Sequence, residues 1–223
     1  MRVFSWTMMI MFIVASSFTF LQKKRVVFFG DSITQAGASS GGYILKIGDL
    51  AVADGKASQF EFMGAGIGGN KIYDLFLRME DDVLVKNPDV VVIYIGVNDV
   101  WHKRSFGTGT DPDKFEKFYT AIINKLKAKN IAVILCTPGV IGERTDFSNE
   151  LDGDLNRYST IIRSLATKNG LQLIDLRKAF LEYNIKSNPE NKESGILTTD
   201  RVHLNEKGNQ LVAEQMWKVI KSL

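Results

Sequence analysis

Ser32, Asp200 and His203 are the residues of this chain whose types and spacing could perform covalent chemistry together. Ser32 stands in Gly30-Asp31-Ser32-Ile33-Thr34, directly after the apolar run Val26-Val27-Phe28-Phe29. That order puts the serine in the turn past the C-terminal end of a buried strand, the edge where open α/β sheets bind ligands. A serine hydroxyl is a poor nucleophile at neutral pH and needs a base to accept its proton. The chain has 2 histidines, His102 and His203, and Asp200 precedes His203 by three residues. At that spacing a carboxylate can fold back onto Nδ1–H and leave Nε2 facing the serine. Taken alone, Asp200 and His203 also fit a surface loop with local capping; the strand-end serine upstream favours catalysis.

Attack on an ester carbonyl leaves negative charge on its oxygen, so donors are required. The segment Gly64-Ala65-Gly66-Ile67-Gly68-Gly69-Asn70 reads as a turn where the Gly69 N–H can approach closely. Gly96-Val97-Asn98-Asp99 reads as a turn that presents the Asn98 amide. The N–H of Ser32 is a third candidate. Each segment alone also fits a tight turn or a helix cap. Their placement at the ends of adjacent strands favours an oxyanion site.

The elements that must position these residues are legible in the hydrophobic pattern. Strands are predicted at 26–29, 60–63, 90–95, 131–136 and 171–176, and helices at 42–53, 71–86, 111–129, 151–169 and 206–221. Alternation of this kind predicts an α/β fold with a parallel sheet covered on both faces and right-handed crossovers. The 223 residues suit one domain, and 45% hydrophobic with 24% charged residues is ordinary for a globular protein. A net charge of +3 gives no footprint for nucleic acid. The 1 cysteine, Cys136, lies in a predicted strand and reads as a core residue, and no Cys/His cluster has zinc spacing.

Four blocks in order give the chain a resemblance to the SGNH hydrolases, or GDSL esterases and lipases. They are Gly30-Asp31-Ser32-Ile33-Thr34, Gly66-Ile67-Gly68-Gly69-Asn70, Gly96-Val97-Asn98-Asp99 and Asp200-Arg201-Val202-His203-Leu204-Asn205. The resemblance implies a flavodoxin-like three-layer α/β/α fold with a five-stranded parallel sheet and no metal or cofactor. It carries the nucleophile over to Ser32, the base to His203 and its orienting aspartate to Asp200. The oxyanion hole falls on Ser32, Gly69 and Asn98. Isoleucine and threonine replace the family's leucine after the serine, and Arg201 stands where a small residue is frequent. The implied function is hydrolysis of carboxylic esters through an acyl-enzyme, with short acyl or O-acetyl esters, including those of carbohydrate, as substrates. A lysophospholipase, a thioesterase and an acyltransferase use the same residues and stay open, as does a binding protein of the same fold.

Gly64-Ala65-Gly66-Ile67-Gly68-Gly69 also matches a dinucleotide-binding pattern, but the following strand lacks the acidic residue that holds a ribose. Gly37-Ala38-Ser39-Ser40-Gly41 matches a nucleophile elbow without a strand before it, and reads as a loop beside the site. His102 reads as an edge histidine, Asp31 and Asp99 as loop braces, and Trp101, Phe106 and the loop 140–152 as shapers of the substrate pocket. Residues 1–20, with Arg2, the apolar stretch 6–14 and Ala15-Ser16-Ser17, resemble a signal peptide and predict export. Lys23, Lys24 and Arg25 after that stretch leave an uncleaved membrane anchor as the alternative. The catalytic domain is expected over 25–223.

Overall fold

The computed structural model describes residues 22–223, so the segment 1–20 read as a leader lies outside the described residues. β1 (Lys24–Gly30) extends the predicted run at both ends and lies between β2 (Phe60–Gly66) and β3 (Val90–Tyr94). β4 (Ala132–Cys136) and β5 (Gln172–Ile174) complete a five-stranded sheet of order β2-β1-β3-β4-β5, parallel throughout. Every residue of β3 is buried, as its unbroken apolar run requires of a strand covered on both faces.

Two consecutive residues of β1 show the two covering layers, because side chains alternate along a strand. Phe28 meets Tyr43 of α2 (Tyr43–Ala53) edge to face at 5.9 Å between ring centroids. Phe29 lies 4.7 Å beneath the guanidinium of Arg78 on α3 (Ile72–Asp82). α2 packs on the last helix, α8 (Glu206–Ile220), while α3 packs on α5 (Pro112–Ala128) and α5 on α6 (Asp152–Asn169). The fold is the three-layer α/β/α arrangement that the alternating pattern predicts. Among the described residues no helix is long and apolar enough to cross a membrane.

Three helices were not legible. Ser32 opens a short helix, α1 (Ser32–Gly37), with Asp31 as its N-cap accepting from the Ile33 N–H. Asn98 lies in the first turn of α4 (Val97–Phe106), a helix rather than the expected turn. Its buried residues are confined to Val97–Val100, so no apolar stripe runs along it. α7 (Leu176–Ser187) follows β5 at once, because Asp175 caps it by accepting from the Lys178 N–H. β2 also runs further than predicted: Gly64, Ala65 and Gly66 belong to the strand, and only the residues after them turn.

The strands stop level with one another. Gly30 is opposite Gly66 on one side and Tyr94 on the other. A Cβ at Gly66 would overlap the backbone of Thr34 and Gln35, so α1 lies directly across the strand end. Gly66→Ala is expected to destabilise the fold by about 1–3 kcal/mol through this overpacking. Urea unfolding checks it: the midpoint falls while the slope is unchanged.

Candidate active site

Ser32 Oγ lies 2.9 Å from His203 Nε2, and His203 Nδ1 lies 2.7 Å from Asp200 Oδ2. Residues 171 apart in sequence therefore form one hydrogen-bonded chain. The loop that carries Asp200 and His203 is closed at its base by a bridge between Thr198 and Leu204. Asn205 caps α8 by accepting from the Gly208 N–H, so the loop enters a helix at a fixed angle. Asp200 Oδ1 also accepts from the N–H groups of Val202 and His203, at 3.1 and 2.8 Å. Partial burial works to raise the pKa of Asp200, but the bonds from His203 and Val202 outweigh it and hold the carboxyl below its ordinary value.

The expected oxyanion donors converge on the same edge. Asn98 is buried, and its amide donates one N–H to the Asn70 carbonyl at 3.1 Å. A side-chain amide has a second N–H to give. Among the described residues, the N–H groups of Ser32 and Gly69 have no hydrogen-bond partner. The glycine turn lies against the serine: a Cβ on Gly68 would be 3.9 Å from Ser32 Cβ. Gly69 adopts φ 76°, which a side chain would strain. The arrangement can pass a proton from a hydroxyl to an imidazole while three N–H groups receive the developing oxyanion.

A model of the GDSL-like Lipase/Acylhydrolase family matches residues 28–211. The chain belongs to this family. It is a carboxylic ester hydrolase. A solved acetyl xylan esterase is 65% identical, with a TM-score of 0.86 over 88% of this chain and 99% of that one. The acetylxylan esterase of Geobacillus stearothermophilus is 27% identical over 213 residues, covering 88% of this chain and 94% of its own. Solved structures of that enzyme include three described as catalytic mutants, in which a serine, a histidine and an aspartate are replaced by alanine. One of these is 25% identical, with a TM-score of 0.77 over 88% of this chain and 94% of that one.

In this GDSL-like hydrolase several polar residues that the sequence reading missed hold the site together. Arg78 Nη2 donates to the carbonyls of Gly30 and Ala65 at 2.8 and 3.0 Å, and Nε to Asn70 Oδ1 at 2.6 Å. One guanidinium thus ties the ends of β1 and β2 to the glycine turn. Lys71, largely buried, donates to the Gly69 carbonyl at 3.0 Å and fixes that peptide. Glu143 is fully buried and accepts from the N–H groups of Ile196, Leu197 and Thr198, the segment leading into the His203 loop. Lone arginine, lysine and glutamate residues carry no pattern, so only contacts reveal them.

His102 is closer to the chemistry than expected: its Cε1 would be 3.8 Å from a Cβ on Gly69. Burial, then the charge of Lys71, lowers its pKa, so the ring facing the turn is neutral near pH 7. Cys136 is fully buried, and burial pushes its thiol well above the usual range. Among the described residues no group of three or more His, Cys, Asp or Glu side chains could hold a metal ion.

Asp31 and Asp99 brace loops as the sequence suggests. Asp99 Oδ1 accepts from the Ile72 N–H at 3.1 Å and so joins α4 to α3, while its Oδ2 has no partner. Burial raises its pKa from 3.8 to about 7, partly offset by Thr110, the Ile72 N–H and Lys71, with Asp31 adding to the rise. Between those values the folded protein holds a proton that the unfolded chain has lost, so this residue makes stability fall as pH rises. Asp99→Asn removes the buried charge and keeps an acceptor for Ile72. Its stabilising effect, measured by urea unfolding, is expected to be larger at about pH 7.5 than at about pH 4.5, by on the order of 2 kcal/mol.

Proposed function

We propose that this esterase removes acetyl groups from acetylated xylan fragments, and that Ser32, His203 and Asp200 carry the chemistry. The observation that carries the reading is the pair of short hydrogen bonds, Ser32 to His203 and His203 to Asp200, in a chain 65% identical to an acetyl xylan esterase.

Ser32 Oγ attacks the acetyl carbonyl carbon and its proton passes to His203 Nε2. The carbonyl oxygen becomes an oxyanion and receives the N–H groups of Ser32 and Gly69 and the second N–H of the Asn98 amide. Asp200, ionised throughout the neutral range, orients the ring and stabilises the imidazolium. Collapse of the intermediate breaks the bond to the sugar oxygen, which leaves with the proton from Nε2. Water then attacks the acetyl-serine, with His203 as base, and acetate departs. Ser32 and His203 are only half-buried, so water reaches the acyl-enzyme without a channel.

An exported enzyme meets a cell-wall polymer, and residues 1–20 are read as a cleaved signal peptide. The second reading, a retained anchor, is favoured by Lys23, Lys24 and Arg25 after the apolar stretch. Intact mass of the protein recovered from an exporting host separates the two: a cut after Ser17 is expected, and a full-length membrane-bound chain supports the anchor.

The enzyme is expected to hydrolyse both p-nitrophenyl acetate and acetylated xylo-oligosaccharides. Ser32→Ala and His203→Ala should each lower kcat by at least about a thousandfold, and Asn98→Ala by about 100- to 1000-fold, consistent with one lost oxyanion donor. Turnover of p-nitrophenyl acetate with none of the saccharide esters would keep the esterase and remove the substrate assignment. Wild-type rates in the Ser32 variant would remove the triad.

A further inference from the structure

Among the described residues, five that are not glycine adopt a left-handed backbone: Asn87, Asn130, Asn191, Phe147 and Arg201. Asparagine tolerates this conformation; a bulky aromatic or a long side chain does so at a cost. Phe147, at φ 67°, and Arg201, at φ 85°, are therefore the two outliers, and a single cleft is lined by Arg201 and by Ser148, the residue after Phe147. A polar cleft of about 330 Å³ is lined by Arg144, Ser148, Asn149, Glu150, Glu193 and Arg201. Phe147 precedes Ser148 in the chain, next to that lining, and is 95% exposed.

The strain at Arg201 is held from three sides. Its N–H donates to Thr198 Oγ1 at 3.2 Å, its carbonyl accepts from the Gly142 N–H at 2.9 Å, and its Nε lies 2.8 Å from Glu193 Oε1. Glu193 also faces Arg144, at 3.5 Å. A glycine would adopt the same backbone freely, so local geometry does not explain the arginine. Both borders of the cleft lead to the candidate active site. Arg201 lies between Asp200 and His203, and Glu150 is bound at 2.9 Å by Arg104 of α4, the helix that carries Asn98.

We propose that this cleft, with Phe147 as its aromatic rim, is a subsite for neighbouring sugar units of the acetylated chain. The inference rests on the saccharide-ester reading above. The lining carries two arginines and two glutamates, so it has no net charge and does not select a free anion or cation. Planar donors and acceptors beside an exposed ring suit a ligand with hydroxyl edges and an apolar C–H face. An ester substrate without further sugars has nothing to place there.

The test compares kcat/KM for acetylated methyl xyloside, acetylated xylotetraose and p-nitrophenyl acetate in wild type, Phe147→Asn and Arg201→Gly. Both replacements accept the left-handed backbone, so folding is preserved, and a melting curve checks it. The readout is the ratio of tetrasaccharide to monosaccharide ester, which a general change in the triad does not move. Wild type should gain about tenfold from the longer chain, and each variant should lose most of that gain. A gain that persists in either variant, or no gain in wild type, overturns the subsite. If Phe147→Asn changes the oligomeric state while the gain persists, the ring belongs to a contact between copies of the chain and the proposal falls. If only p-nitrophenyl acetate is turned over, the saccharide reading has failed, and the subsite with it; hydrolysis of the monosaccharide ester without a chain-length gain removes the subsite alone.

Discussion

Ser32, the Gly69 turn and Asn98 come together because three parallel strands stop at one level. β1 ends at Gly30, opposite Gly66 of β2 and Tyr94 of β3, so the segments that follow leave the sheet at one height. In a parallel sheet all of these exits share an edge, which gathers residues distant in sequence. A slip of one residue in this register would exchange the faces of Phe28 and Phe29 and break the contacts of the first with Tyr43 and of the second with Arg78. The apolar core thus enforces the alignment of polar residues that do not touch it.

Once the strands are level, a few charged groups fix the segments above them. Arg78 gathers the carbonyls at the ends of β1 and β2, Glu143 gathers three N–H groups before the His203 loop, and Arg177 ties the segment after β4 to the start of α6. Arg177 donates to Asn156 Oδ1 and the Gly139 carbonyl and pairs with Asp152 at 2.7 Å. A buried charge is costly unless its hydrogen-bonding capacity is met, so each such residue accepts only one arrangement of its partners. These residues hold irregular backbone as firmly as a helix holds regular backbone. That bracing sets the Gly69 turn and the Asp200 loop, while Asn98 is set by the first turn of α4; preorganisation of this kind is what the proposed chemistry requires.

The strained residues lie away from the core. Phe147 and Arg201 sit beside a surface cleft, and Arg201 is held there by its own N–H, carbonyl and guanidinium contacts. Stability resides in the sheet and its two helical layers, while recognition is left to loops that tolerate change.

By itself the sequence determined the alternation of strand and helix, the covered sheet and the motif residues. Apolar periodicity is a local property; Ser32 and Asn98 stand in short patterns beside predicted strand ends, and Asp200 and His203 in one just before a predicted helix. Gly170, left-handed after α6, and Asn205, which caps α8, are residue types that end and begin helices for a similarly local reason. Helix α4 escaped because only its first turn is buried, and α1 because six residues are too few to show a period. Arg78, Lys71 and Glu143 escaped because a single charged residue has no signature until its partners are known. The approach of His102 to Gly69, the length of β2 and the left-handed turn at Arg201 were decided by tertiary structure alone. Each depends on contacts between segments far apart in the chain, and such contacts are set by packing rather than by any local run of residues.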